Sequence, residues 1–185
     1  MIALLLLALA AGDTVLEAGQ TLTLTEDLVL SGAATIDVRG TADQRCVILG
    51  NGHAIRSDGK WTGRLKITGC DIRGLGAPKV HAIDVKAEDH AEIALDRCTF
   101  DGSSSISLRN DGASEARVTN CVILENSTAL VDKAREKSFP VFIARGTSAA
   151  AKLFQGNRVY KSHLEIEAPN WKIDDNILIG WRSGV

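Results

Sequence analysis

The chain is poor in bulky rings: one Tyr, four Phe and three Trp leave aromatics at 4% of 185 residues. That excludes a core built on a few large aromatic clusters, so Ile, Val, Leu and Ala must do the packing. Prolines number three, against 17 glycines, a balance that suits short strands and tight turns. Charge of one sign is also missing. The 21 basic and 23 acidic residues are well mixed and leave a net charge of −2, so no basic face supports a nucleic-acid role. No apolar run reaches the ~20 residues of a membrane-spanning helix. With 45% hydrophobic and 24% charged residues, the composition is that of one ordinary globular domain.

The longest apolar run opens the chain, MIALLLLALAAG over residues 1–12. It is too short to span a bilayer, and Ala8-Leu9-Ala10 suits a cleavage site, so it reads as a signal peptide. It departs from that pattern in having no Lys or Arg ahead of the apolar run. The expectation is a protein that is secreted, periplasmic or at the cell surface.

What is abundant is repetition. The unit Ile67-x-x-Cys70-x-Ile72 returns as Leu95-x-x-Cys98-x-Phe100 and Val118-x-x-Cys121-x-Ile123. Two further copies replace the thiol by an amide, Phe154-x-x-Asn157-x-Val159 and Ile173-x-x-Asn176-x-Leu178, and Ile48-x-x-Asn51 reads as a weaker early copy. Repeats at an irregular period of roughly 20–30 residues, made of short strands and glycine turns, imply a coiled β-solenoid. Cys70, Cys98 and Cys121 then share one slot in successive coils, stacked at about 4.8 Å. Side chains in such a ladder point the same way, whereas a disulfide needs converging Cβ atoms at ~3.8 Å. Buried free thiols are expected, and no C-x-x-C pair or histidine partner at ligand spacing suggests zinc.

A second landmark phases the coils. From Ile55, Ile83, Ile106, Val141 and Leu164 to the next Cys or Asn is 15, 15, 15, 16 and 12 residues. One half of each coil is thus nearly constant, and length varies in the other half, as expected if strands stack in register while surface loops lengthen cheaply. Residues 13–45, with period-two alternation through Leu22, Leu24, Leu28, Leu30, Ile36 and Val38, read as N-terminal coils or a β cap, and residues 46–185 as the solenoid. The longest insertion, Leu124 to Pro140, has a stretch from Ser127 to Ser138 that suits either a solvated loop or one or two helical turns. Asn126-Ser127-Thr128 fits an N-glycosylation acceptor. An apolar run, Ile177 to Ile179, closes the repeat without a polar cap, so further coils or a partner are expected to cover that end.

Gly50-Asn51-Gly52-His53-Ala54-Ile55 and the recurring aliphatic-x-x-Cys/Asn rungs resemble the right-handed parallel β-helix proteins of the pectate-lyase-like superfamily. The resemblance implies an all-β fold: a right-handed, single-stranded parallel β-helix of about six to seven coils, three sheets per coil, with an Asn ladder at one turn. Asn157 and Asn176 would belong to that ladder, with Cys70, Cys98 and Cys121 as apolar substitutes. It also implies that substrate, a polysaccharide, lies along one outer sheet.

If the anchors mark that sheet, the outward residues one step on are Arg56, Asp84, Ser107, Phe142 and Glu165. Two steps further lie Asp58, Lys86, Arg109, Ala144 and Glu167. Read as a site, Arg109 and Lys86 are candidate bases, and Asp84 helps hold a cation such as calcium, whose ligand set is otherwise incomplete. Arg56, Asp58, Glu165 and Trp61 would contact a glycan, charge pairing with uronates and ring stacking supplying the affinity. Read structurally, Arg56/Asp84 and Asp58/Lys86 are cross-strand charge pairs worth about 0.2–1 kcal/mol each. No metal ligands are assigned. The aspartates and histidines that mark calcium-dependent pectate lyases and polygalacturonases are absent or out of order, and Asp174-Asp175 reads as a turn. His53 and His81 occupy equivalent places one coil apart, as a stacked pair or as strand-edge packing. Two functional classes follow: a secreted protein that binds or processes polysaccharide, as a polyuronide lyase or glycoside hydrolase relative, or a non-catalytic surface, adhesion or structural module.

Overall fold

In the computed structural model, residues 4–6, 13–77, 79–124, 140–160 and 163–179 are described. They form three parallel sheets and no helix. Sheet A stacks eight strands, from Leu4–Leu6 and Thr21–Thr23 through Cys46–Leu49, Cys70–Arg73, Thr99–Asp101, Val122–Ile123 and Arg158–Tyr160 to Ile177–Ile179. Sheet B stacks seven, from Thr14–Glu17 to Trp171–Asp174, and sheet C six, from Leu28–Gly32 to Leu164–Ile166. The chain visits C, B and A in turn, so the six strands of sheet C mark five full turns between first and last. This is a parallel β-solenoid with partial coils at its start. Leu4–Leu6, inside the segment read as a leader, pairs with Thr21–Thr23. Residues 125–139, on which the helix and glycosylation readings fall, lie outside the described residues.

Alternation sets which side chains enter. On sheet C the inward column is Leu28, Ile55, Ile83, Ile106, Phe142 and Leu164. On sheet B, Val38, Ile67, Leu95, Val118, Phe154 and Ile173 share a column. Each rung places an aliphatic on the one below at the ~4.8 Å strand spacing, which removes nearly all of them from water. Rings touch one another only in the late coils: Phe142 lies 4.8 Å from Phe154 and 5.4 Å from Trp171, the latter edge-on. Few aromatics therefore suffice.

The corner from sheet B to sheet A explains the repeat. From Cys70 onward, the residue before each column Cys or Asn has left-handed backbone: Gly69 at φ 56°, Arg97 at 53°, Asn120 at 55°, Gly156 at 67° and Asp175 at 53°. One such residue turns the chain between two short strands, and Gly, Asn and Asp are the types that tolerate it. The turn reading of Asp174-Asp175 agrees with this geometry. All four cysteines are free and buried, and Cys46 pairs in register with Cys70. The registers Thr99 on Asp71 and Val122 on Thr99 put Cys98 and Cys121 next in line.

Two phases differ from the sequence reading. The early copy of the rung is centred on Cys46, not Asn51, because Thr41–Arg45 bulge out between Gly40 and Cys46 and hide the spacing. In the fifth coil the inward anchor is Phe142, one residue past Val141. Val141 to Ala144 are all buried, so no alternation marks the phase there. The corrected anchor restores the spacing of 15 residues to Asn157.

Candidate functional site

The outer face of sheet C carries the polar field. Arg56, Asp84, Ser107, Ile143 and Glu165 share one outward register. Lys86, Arg109 and Arg145 share the other. Arg145 replaces Ala144 in that row, and Ile143 replaces Phe142 in the first, because of the one-residue phase shift. Asp84, Lys86 and Arg109 are therefore brought together on two adjacent rungs. Glu165 lies two rungs beyond Ser107, separated from them by a buried Ile143.

Most charges on this face are already answered. Arg56 binds Asp27 at 2.9 Å rather than Asp84. Asp27 also accepts the Ala54 N–H at 3.0 Å, and that bond with the Arg56 guanidinium holds its carboxyl below the usual range. Arg109 binds Asp111 at 2.7 Å, which lowers the Asp111 carboxyl in the same sense. Arg145 reaches Glu165 at 2.6 Å and Glu167 at 3.0 Å. Such exposed pairs contribute about 0.2–1 kcal/mol each. Among the described residues Asp58, Asp84 and Lys86 have no ion-pair partner.

Two substrate-contact candidates are placed otherwise than expected. Trp61 is fully buried, and its indole N–H donates to the Ala34 carbonyl at 2.8 Å. It lies in register between Gly32 and Ala87, whose small side chains leave room for the ring. No face remains for a sugar, so Trp61 is a core residue. Asp58 does not oppose Lys86. The strand Ile55–Trp61 holds two more residues than Ile83–Ala87 between matched ends. The excess is taken up around Gly59, at φ 67°, and the Lys86 N–H donates to Ser57 Oγ at 2.8 Å instead. The turn after Trp61 is shorter by the same two residues, so the spacing to Cys70 conceals the bulge.

His53 faces Asp27 at 3.8 Å, whereas His81 Nδ1 lies 2.6 Å from Ser105 Oγ. The two therefore answer to different neighbours. Among the described residues no group of three or more His, Cys, Asp or Glu converges as a metal site, and no helix is long and apolar enough to cross a membrane.

Nothing in the residue order marks Arg145 until its coil is phased, nor a second feature at the B-to-A corner. There a cleft of about 300 Å³ opens beside Arg45, Arg97, Cys98, Thr99 and Asn120. Arg45, at the end of the Thr41–Arg45 bulge, spans its floor: it binds Asp71 at 2.7 Å and donates to the carbonyls of Cys70 and Arg97 at 3.0 and 3.1 Å.

No family model, no curated protein and no solved structure matches this chain.

Proposed function

We propose that this β-solenoid is an exported relative of the pectate-lyase-like proteins that binds an acidic polysaccharide along the outer face of sheet C. The observation that carries the reading is the cationic row Lys86, Arg109 and Arg145, set on three successive rungs in one register. A polyanion laid along the solenoid axis meets these cations rung after rung, its carboxylates exchanging with the Asp111, Glu165 and Glu167 that hold two of them. Lys86 is the member of this row with no ion-pair partner among the described residues, and it is the first to engage a uronate. Binding is favoured over turnover in this reading. Arg109 is exposed and held by Asp111, and a guanidinium kept charged is a poor proton acceptor.

The test is retention on polygalacturonate and alginate, with a neutral glucan as control. Salt-sensitive binding that falls at least tenfold in Lys86→Ala/Arg109→Ala/Arg145→Ala is expected. Equal binding by the triple variant overturns the reading, and release of unsaturated products would restore a lyase role. A second reading, a rigid structural or adhesion module, is favoured by the exposed apolar residues Ile173, Ile177, Leu178 and Ile179 on the last coil. Concentration-dependent assembly without glycan binding would support it.

A further inference from the structure

Four free thiols form one continuous column on neighbouring rungs, Cys46, Cys70, Cys98 and Cys121. Their neighbours are aliphatic, and the nearest polar atoms are backbone carbonyls. Cys98 Sγ lies 3.3 Å from the Ile67 oxygen, and Cys121 Sγ lies 3.3 Å from the Thr119 oxygen and 3.6 Å from that of Leu95. The spacing of the column has a chemical meaning. Two metal–sulfur bonds of ~2.3 Å placed end to end span ~4.6 Å, close to the ~4.8 Å between rungs. Adjacent parallel thiols that are badly placed for a disulfide are thus well placed for a linear sulfur–metal–sulfur bridge. Soft thiolates select soft monovalent cations such as Cu(I), and a two-coordinate ion needs no third ligand.

We propose that Cys98 and Cys121 form a binding site for one soft monovalent cation, Cu(I) or its analogue Ag(I), held linearly between the two sulfurs. Cys98 is the thiol that borders the 300 Å³ cleft, which gives a small ion a short path past the left-handed corner residues Arg97 and Asn120. The step is an exchange: one cation enters, two S–M bonds form, and both thiol protons leave to solvent, with no change of oxidation state. Two thiolates side by side in a dry column repel. A cation between them removes that repulsion, whereas hard ions cannot offset the lost hydration.

The test uses the full chain and Ag(I), which is stable in air, with Zn(II) as control. One Ag(I) per chain is expected to survive gel filtration against a millimolar imidazole competitor, with an unchanged far-ultraviolet β spectrum and no retained Zn(II). Cys121→Asn places at this rung the residue that the column already carries at 157 and 176, so it keeps the fold while removing a sulfur. It should lose retention at least a hundredfold, and Cys98→Ala should do the same, while Cys46→Ala should keep it. No retained Ag(I), retention unchanged in both Cys98→Ala and Cys121→Asn, or binding only with loss of the β spectrum overturns the proposal.

Discussion

The column at the B-to-A corner has two halves that solve one problem with different chemistry. In the early coils its members are thiols, and in the late coils they are Asn157 and Asn176. Both halves direct a donor at equivalent carbonyls of the coil below. Cys98 points to Ile67 and Cys121 to Leu95, at 3.3 and 3.6 Å, while Asn157 reaches Val118 and Asn176 reaches Phe154 at 2.9 and 2.8 Å. The amides do more. Asn157 Oδ1 also accepts the Cys121 N–H at 2.9 Å, and Asn176 Oδ1 accepts the Asn157 N–H at 2.9 Å. An S–H is a weak donor and a small hydrophobe, so the early half is held by dry packing and the late half by hydrogen bonds. The inward columns follow suit. Ile36, Leu65 and Ile93 in the early coils are succeeded by Ala116, Lys152 and Trp171. The lesson is that register, rather than residue class, is what a rung must preserve.

The largest expected effect comes from cutting one member out of each half. Asn157→Ala strands the Cys121 N–H and the Val118 carbonyl in a buried site, for a loss of about 2–4 kcal/mol. Cys98→Ala removes a sulfur with little hydrogen bonding and should cost about 1–2 kcal/mol. Urea denaturation of the two variants measures the difference directly, and equal losses would erase the distinction between the halves.

Lys152 sharpens the contrast through pH. Its side chain is 2% exposed, and Nζ donates to the carbonyls of Ser148 and Ala150 at 2.7 and 2.9 Å. Burial lowers its pKa from the ordinary 10.5, so between the folded value and 10.5 the unfolded chain binds more protons. Stability should therefore rise with pH across that window. Lys152→Met should abolish the rise while changing stability at neutral pH by no more than about 1–2 kcal/mol. Melting temperatures recorded from pH 7 to 10.5 check both statements.

Much of this was readable from residue order. The rungs at 70, 98, 121, 157 and 176, the unbonded thiols and the anchors Ile55, Ile83 and Ile106 all follow from like residues recurring at fixed spacing. Three details were hidden for physical reasons. The five-residue bulge Thr41–Arg45 masked Cys46, four consecutive buried residues masked the phase at Phe142, and the bulge around Gly59 was offset by a short turn. The candidate face inherited those errors: it contained Asp84, Lys86 and Arg109, missed Arg145, and wrongly exposed Trp61. Spacing reports the sum of strand and turn, so compensating changes leave no trace in it.

The smallest expected effect lies at the corner itself. Arg97 is the one long side chain among the five left-handed corner residues. Arg97→Gly should relieve strain and raise stability by about 0.5–1 kcal/mol, whereas Asn120→Gly should change it less. A loss for Arg97→Gly in urea titration would mean that the Arg97–Asp96 contact at 2.8 Å outweighs the backbone.

The stacked column is tested most directly by counting thiols that react with a bulky aromatic disulfide reagent, before and after denaturation. All four cysteines are buried and free, so the native chain should show no fast-reacting thiol and the unfolded chain should show four. Fewer than four after unfolding without reductant, or any that react at once in the native state, would contradict a solenoid wound with its sulfurs inside and unbonded.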